Sequence, residues 1–455
     1  MNYELRIKNQ KISKNILLFF VAIGSLLIAN GSKAQSTFSL QQAIDYAFKN
    51  SSTIKNAILD EKITDAKVKE FAGVGLPQIS GTANTMDNYL KPIFVIPANS
   101  FGNPTSEYLR VGQTYSTQAA LAANWLLLDA TYLIGKTAQK EVLKLTKYST
   151  DRSRIDVAEQ VSKAYYNVLV GNKRVELLDA NVERLQQLLA EEQEYNKQGF
   201  IEKLDLQRLS ISLNNLKTEQ FKAHEMLELG KSLLKFQMGF NVNQSISLTD
   251  TISDAELKNA TLAEAPLNYD DRIETKLLKK QEDLNKLNLK RYQYGALPNL
   301  AAFGQFNTNH YSDDFDFYKH SAPYFTSGLV GLQMSVTFWN GGQTHFHKEQ
   351  IKLQIQQNEN DLLNLKNALD LQLSNSKVAL KNTLLTIQSQ KENLDLATEV
   401  VRVSKIKYQQ GVGSNLEVLD AETSLKEAQT NYFGALYDAY IAKVDYEKAK
   451  GTLIK

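Results

Sequence analysis

The chain has 455 residues, with 52 Lys and Arg against 50 Asp and Glu, and no cysteine. The lack of cysteine excludes a disulfide framework, a Zn–Cys centre, a thiolate nucleophile and a lipid-modified N-terminal Cys. The near-balanced charge gives no reason to expect nucleic acid as a partner.

Arg6, Lys8, Lys11 and Lys14 precede an apolar run from Ile16 to Ile28, and Ser32-Lys33-Ala34 places small residues at the −3 and −1 positions of a cleavage point. This pattern predicts an export signal over residues 1–34. The apolar run is too short to span a bilayer. Removing 1–34 takes away five basic and one acidic side chain and moves the net charge from +2 to −2. No later segment is apolar enough for a transmembrane helix. An exported chain of this kind is periplasmic, secreted, or held in the outer membrane by β-strands.

From there the chain reads as follows. Residues 40–75 carry Leu40, Ala43, Ala47, Ile54 and Ile58 near helical spacing, and Leu76-Pro77 ends that helix. Ile79, Gly81 and Ala83 then alternate with Ser80, Thr82 and Asn84, as in a strand. Residues 88–113 hold three prolines and read as loop. A second strand runs from about Ser116 to Leu128, closed by Asp129-Ala130. A long helix follows to about Lys197, Gly199 breaks it, and a return helix runs from about Leu204 to Phe236. Residues 240–268 lack periodicity and read as a linker. The grammar then repeats. A helix from Asp270 ends at Leu297-Pro298, and a strand covers Asn299 to Asn307. A loop spans roughly His310–Ser327. The strand that follows has Val330, Leu332, Met334, Val336 and Phe338 on one face and Gly331, Gln333, Ser335 and Thr337 on the other. Asn340-Gly341-Gly342 closes it. A long helix covers 343–409, Gly411 and Gly413 break it, and a last helix runs from Leu416 to Lys450.

The two long helices share one ladder. Val161, Val168, Val175, Val182 and Leu189 recur 212 residues later as Leu373, Leu380, Ile387, Leu394 and Val401. Five apolar rungs at period seven are a coiled-coil seam, and a constant offset is an internal duplication. We therefore divide the chain into an export signal 1–34, a first repeat 35–239, a linker 240–268 and a second repeat 269–455. The offset is 221 before the hairpins and 211 after them, so the first hairpin is ten residues longer, the excess lying in 88–113. A helix over 343–409 is roughly 100 Å long at about 1.5 Å per residue, which puts hairpins and glycine turns at opposite ends of a rod. Four strands cannot close a barrel. Several chains contributing hairpins to one barrel would remove the open edges. Trp125, Phe338 and Trp339 stand where an interfacial aromatic belt forms.

Over essentially its whole mature length the chain resembles the TolC-like outer-membrane efflux proteins. The residues that carry this are the paired Leu-Pro before each first strand, the Phe338-Trp339-Asn340-Gly341-Gly342 turn, and the run from Gly411 through Asp420 to Ala421, with Glu417 in place of the family's first Asp. The resemblance implies a fold that is mostly α with a small β part. It implies long-helix hairpins forming a trimeric α-helical barrel, continued by a 12-stranded outer-membrane β-barrel with four strands per chain. It also implies a homotrimer in outer-membrane lipid, docked on a periplasmic adaptor protein and an inner-membrane pump of RND or ABC type.

No residue pattern supports catalysis. There is no Gly-rich phosphate loop, no Gly-x-Ser-x-Gly elbow and no His-Glu-x-x-His. His345 and His347 lack a third ligand and read as solvated surface, so neither metal nor cofactor is expected. Arg272-Ile-Glu274 resembles the family's Arg-Pro-Glu signature and is expected to be structural. Glu417 and Asp420, three apart, share a helix face. By resemblance they match an acidic constriction at the periplasmic entrance. Asp205 and Tyr408 match positions that bond across the two helix pairs, and Gly413 stands where the family has an arginine. Gly199, Gly411 and Gly413 form the tip turns. The expected function is a passive outer-membrane export duct of a tripartite efflux or type I secretion system, gated at its periplasmic tip. The rival is a periplasmic coiled-coil scaffold that tethers envelope layers and conducts nothing.

Overall fold

The structure is a computed structural model that describes residues 36–102, 104–252, 257, 267–319 and 321–454. The expected export signal, 1–34, lies outside the described residues. The fold is mostly helical with a minor strand content.

The elements in chain order are β1 (Ser36–Phe38), α1 (Leu40–Asn50), α2 (Ser52–Gly73), β2 (Gln78–Asp87), β3 (Ile93–Ile96), β4 (Glu107–Arg110), β5 (Tyr115–Leu128), α3 (Ala130–Lys197) and α4 (Lys203–Met238). They continue with β6 (Ile246–Leu248), a 3-10 turn (Tyr269–Asp271), α5 (Ile273–Tyr294), β7 (Asn299–Ser312), β8 (Phe325–Ser335), α6 (Gln343–Gln409) and α7 (Asn415–Lys450). Two compact units emerge. One comprises residues up to Ser52, Val157–Leu262 and Lys377–Tyr446; the other comprises Thr53–Asp156, Ala263–Ser376 and Glu447 onward.

In the first unit the heptad ladders face inward. Val161, Val168, Val175, Val182, Leu380, Ile387 and Val401 are buried, and Leu189 and Leu394 pack against the same apolar clusters. Leu209, Leu213 and Leu216 of α4 close on Leu178, Val182 and Leu185 of α3. The helix expected over 40–75 is two helices. α1 starts at a capping box, with Gln42 N–H on Ser39 Oγ and Ser39 N–H on Gln42 Oε1. It ends at Ser51, whose backbone turns extended. No Gly or Pro marks that break. Gly239, the left-handed C-cap of α4 (φ 68°), packs against the break so closely that a Cβ there would sit 2.6 Å from Asn50 O. The expected linker 240–268 also contains structure. β6 pairs in parallel with β1, and Asp250 Oδ2 accepts from Leu40 N–H and from Tyr165 Oη. Three-residue strands are too short to show a period.

In the second unit a four-stranded antiparallel sheet has the order β2-β5-β7-β8. The register runs in rows across it: Ile79, Ala123, Gly304 and Val330 form one, Gly81, Leu121, Phe306 and Gly328 the next. These rows share a face with Trp125, Ala302, Leu332 and Met334. The opposite face carries rows such as Thr82-Ala120-Asn307-Ser327. Gly331 lies on that second face opposite Phe303, and it is glycine there because a Cβ would meet the Phe303 ring at 2.8 Å. Three sequence expectations change here. The 88–113 loop contains a β3–β4 ribbon, which carries the excess of the first hairpin. β7 extends to Ser312, beyond the expected Asn307. β8 begins at Phe325 and stops at Ser335, so Val336 and Phe338 lie outside the strand. Arg272 is buried and acts structurally: it donates to Lys448 O and Ala449 O, closing the end of α7, and forks onto Glu274.

Candidate functional site: the helix turns and the polar links beside them

Two tight turns connect the long helices of the first unit to their return helices. Between α3 and α4, Gly199 adopts φ 80° and Asn196 Nδ2 donates to Ile201 O at 2.5 Å. Between α6 and α7, Gly411 adopts φ 71°, and Val412 and Gly413 both donate their N–H to Lys407 O. These two glycines occupy the left-handed region that other residues enter at a cost. Gly413 has no positive φ; it is small because a Cβ there would meet Lys407 Cβ at 3.0 Å. Ser414 Oγ then accepts Glu417 N–H and starts α7.

Just beside these turns, Tyr408 Oη donates to Glu192 Oε2 at 2.8 Å. Glu192 is buried, and burial pushes its carboxyl above the usual range, with Asp205 and Glu191 adding like-charge repulsion and the Tyr408 hydroxyl opposing them. Burial and the hydrogen bond to the Glu192 carboxylate push the Tyr408 phenol up as well. Farther along the same helices, Asn181 Nδ2 donates to Gln429 Oε1 at 2.8 Å. Arg184 reaches Glu422 at 2.7 Å, and Lys405 reaches the same carboxylate at 2.8 Å. Lys426 pairs with Glu219. The set therefore ties α6 and α7 to α3 and α4 through polar contacts.

Residues 290–452 match the family described as outer membrane efflux protein. The chain is similar to the TolC-like outer-membrane efflux proteins. It is 20% identical over 447 residues to the outer membrane protein TolC of Vibrio cholerae, covering 97% of this chain and 96% of that one. It is 22% identical over 307 residues to the proteases secretion protein PrtF of Dickeya chrysanthemi, covering 67% and 65%. In fold it is similar to the crystal structure of CusC (TM-score 0.69, 15% identity, 90% and 92% coverage). It is also similar to the CmeC outer membrane channel of Campylobacter jejuni (TM-score 0.68, 17% identity, 91% and 86% coverage). Its place is the outer membrane, with a long helical part in the periplasm.

In this TolC-like chain Glu417 and Asp420 both lie exposed in the first turns of α7. Tyr408 does not bond to Asp205. The hydroxyl goes to Glu192, and Asp205 pairs at 3.5 Å with Arg208 on its own helix while raising both Glu192 and Tyr408 through its charge. Glu192, Arg184, Glu422 and the Asn181–Gln429 pair were not singled out from the sequence. A signal for Glu192 existed: it continues the seven-residue series Leu178, Leu185, so an acid occupies a rung of a buried seam.

Proposed function

We propose that this protein is a trimeric export duct. Each chain would supply four strands to a 12-stranded outer-membrane barrel, and its helices would form a hollow barrel in the periplasm. One observation supports this most directly: the sheet has unpaired edges at β2 and β8 and one face of exposed apolar side chains. Val330 is 90%, Leu332 69% and Met334 71% exposed in the single chain. Such a sheet is unsustainable alone in lipid, where every strand edge needs a partner. Pairing β2 of one copy with β8 of the next closes the ring and turns the apolar face to lipid. Leu371, Val378 and Leu385, exposed at seven-residue steps on α6, form a further seam that a second copy would cover.

The chain would be organised as the repeats 35–239 and 269–455 joined by 240–268, after loss of the signal 1–34. It conducts passively; a periplasmic adaptor and an inner-membrane pump, of RND or ABC type, supply energy and load. The gate lies at the turns Gly199, Gly411 and Gly413. Threefold symmetry gathers Glu417 and Asp420 into an acidic ring around the axis. Tyr408, Glu192 and the nearby Asp205 help keep α6 and α7 against α3 and α4. Narrow clustered carboxylates focus their field, favouring cations and admitting multivalent block.

The test is assembly. Mature protein should leave the membrane only with detergent, run as a trimer, and conduct in planar bilayers. A soluble, non-conducting monomer would refute the duct.

A further inference from the structure

At the end of β7 lies a buried group that the gate does not use. His310 is 1% exposed, yet both ring nitrogens face acceptors: Nδ1 lies 2.8 Å from Pro323 O and Nε2 lies 2.8 Å from Asp316 Oδ1. A carbonyl oxygen can only accept. Asp316 is held below the usual carboxylate range first by the His310 contact and further by Ser312 and Lys319, so it is an anion and also only accepts. Neutral imidazole has one N–H and one lone pair; imidazolium alone donates at both ends.

These two contacts fasten one segment. Residues 313–319 leave β7, and residues 321–324 lead back past His310 into β8. Tyr324 lays its ring 5.2 Å from the imidazole and donates its hydroxyl to Phe317 O. The far end of the segment is pinned separately. Asp313 accepts from Lys91 Nζ and from the N–H and hydroxyl of Thr114, and Lys91 leads the contacts that bring its carboxyl down to about 2. Across the sheet, the β5 neighbour of His310 is the uncharged Thr117. Among the described residues, the charged groups around the ring are Asp316, with Lys319 beside it, and the more distant Asp313–Lys91 pair.

We propose that residues 313–324 form a pH-sensitive strap at the outer mouth of the duct, closed by doubly protonated His310 and released when the ring loses one proton. This rests on the duct reading only for the word outer. Asp316 keeps the remaining proton on Nε2. The bare Nδ1 lone pair then faces Pro323 O at hydrogen-bond distance, a repulsive contact between two acceptors. The Asp316 end stays tied, and the Pro323–Tyr324 end lets go. The strap is thus closed in acid and loosened in alkali.

The absence of cysteine makes a single spin label simple to place. Ser321→Cys puts it on an exposed strap position. His320, outside the described residues, is replaced by Gln in the same background so that it cannot report. Purified trimer in detergent is titrated from about pH 5.5 to 9.5. The expected result is a slow label in acid and a several-fold larger mobile fraction in alkali, through a one-proton transition that His310→Gln abolishes. An unchanged spectrum across the range overturns the proposal, and so does a transition that survives in His310→Gln. If that variant does not assemble, Asp316→Asn decides. Losing the anion should move the transition at least one pH unit lower, and an unmoved transition overturns the strap. Location is read separately. An impermeant paramagnetic relaxant added to intact cells should reach the label; failure there counts against the outward placement and leaves the titration result intact.

Discussion

Removing the Tyr408 hydroxyl is the sharpest probe of the proposed gate. Tyr408→Phe keeps the ring and deletes the hydroxyl that donates to the buried Glu192 carboxylate. A hydrogen bond to a charged group contributes about 1.5–3 kcal/mol, and a neutral one about 0.5–1.5. If the closed state holds this bond and the open state does not, the closed-to-open ratio falls about 10- to 150-fold at neutral pH. The effect has a pH signature. Glu192 has its folded carboxyl above the usual 4.5, so the protonated acid is favoured in the fold. The stability linked to that proton is fully present below about 4.5 and is lost as pH rises through the raised folded value. Above it, the closed state carries a buried anion for which Tyr408 compensates. Tyr408→Phe should therefore raise resting conductance more at pH 7.5 than at pH 4.5. Glu192→Gln, which keeps an acceptor without the charge, should leave the gate as closed as the parent. Single-channel recording in planar bilayers gives open probability directly. The double variant Tyr408→Phe with Glu192→Ala closes a cycle. Strictly additive effects would show that the two groups do not act together, and the gate assignment would fail.

Three further outcomes are expected. Leu332→Arg, on the apolar sheet face, should cost about 2–4 kcal/mol near the bilayer midplane and Gln333→Arg much less; equal yields of folded trimer from the two would refute the facial assignment. Glu417→Ala with Asp420→Ala should abolish cation selectivity and block by divalent or trivalent cations, measured as reversal potential and current inhibition. Arg272→Ala should destabilise the second unit by about 3 kcal/mol, because it strips a buried fork from Glu274 and from the last carbonyls of α7; an unchanged thermal midpoint would show that this contact carries little.

What the sequence revealed and what it hid follow one physical division. Strict seven-residue repeats placed α3 and α6 within a residue or two, since such a seam has few alternative structures. The open alternation around Val330, Leu332 and Met334 likewise exposed the facial pattern of β8. Features made by contacts distant in sequence were hidden. The break at Ser51 packs against Gly239, 188 residues away, and β6 pairs with Ser36–Phe38. The β3–β4 ribbon was concealed by the prolines that flank it. At the gate, resemblance pointed to Asp205 for Tyr408, while the acid in step with Leu178 and Leu185 is Glu192. The heptad rule favoured the acid that packs, and the family motif the acid that merely lies near.

The chemistry of the links suits a joint that must both hold and yield. Two apolar seams with repeating rungs can slide by one heptad at little cost, because the side chains that meet after the slip are alike. Polar pairs remove that freedom. Asn181 with Gln429 is buried and fits one register only, and Arg184, Glu422 and Lys405 meet around one carboxylate. Each partly exposed ion pair contributes little stability by itself. That is an advantage in a gate, since water replaces the lost partners when α6 and α7 move away, whereas an apolar seam would open against its full burial energy. Gly413 fits the same logic. A larger residue at this backbone would bring its Cβ to 3.0 Å from Lys407 Cβ, so the turn would have to give by a few tenths of an ångström to take one. In the proposed gate, closure would rest on the α3-centred contacts, and the pair nearest the turns, Tyr408 with Glu192, would be the first for opening to break.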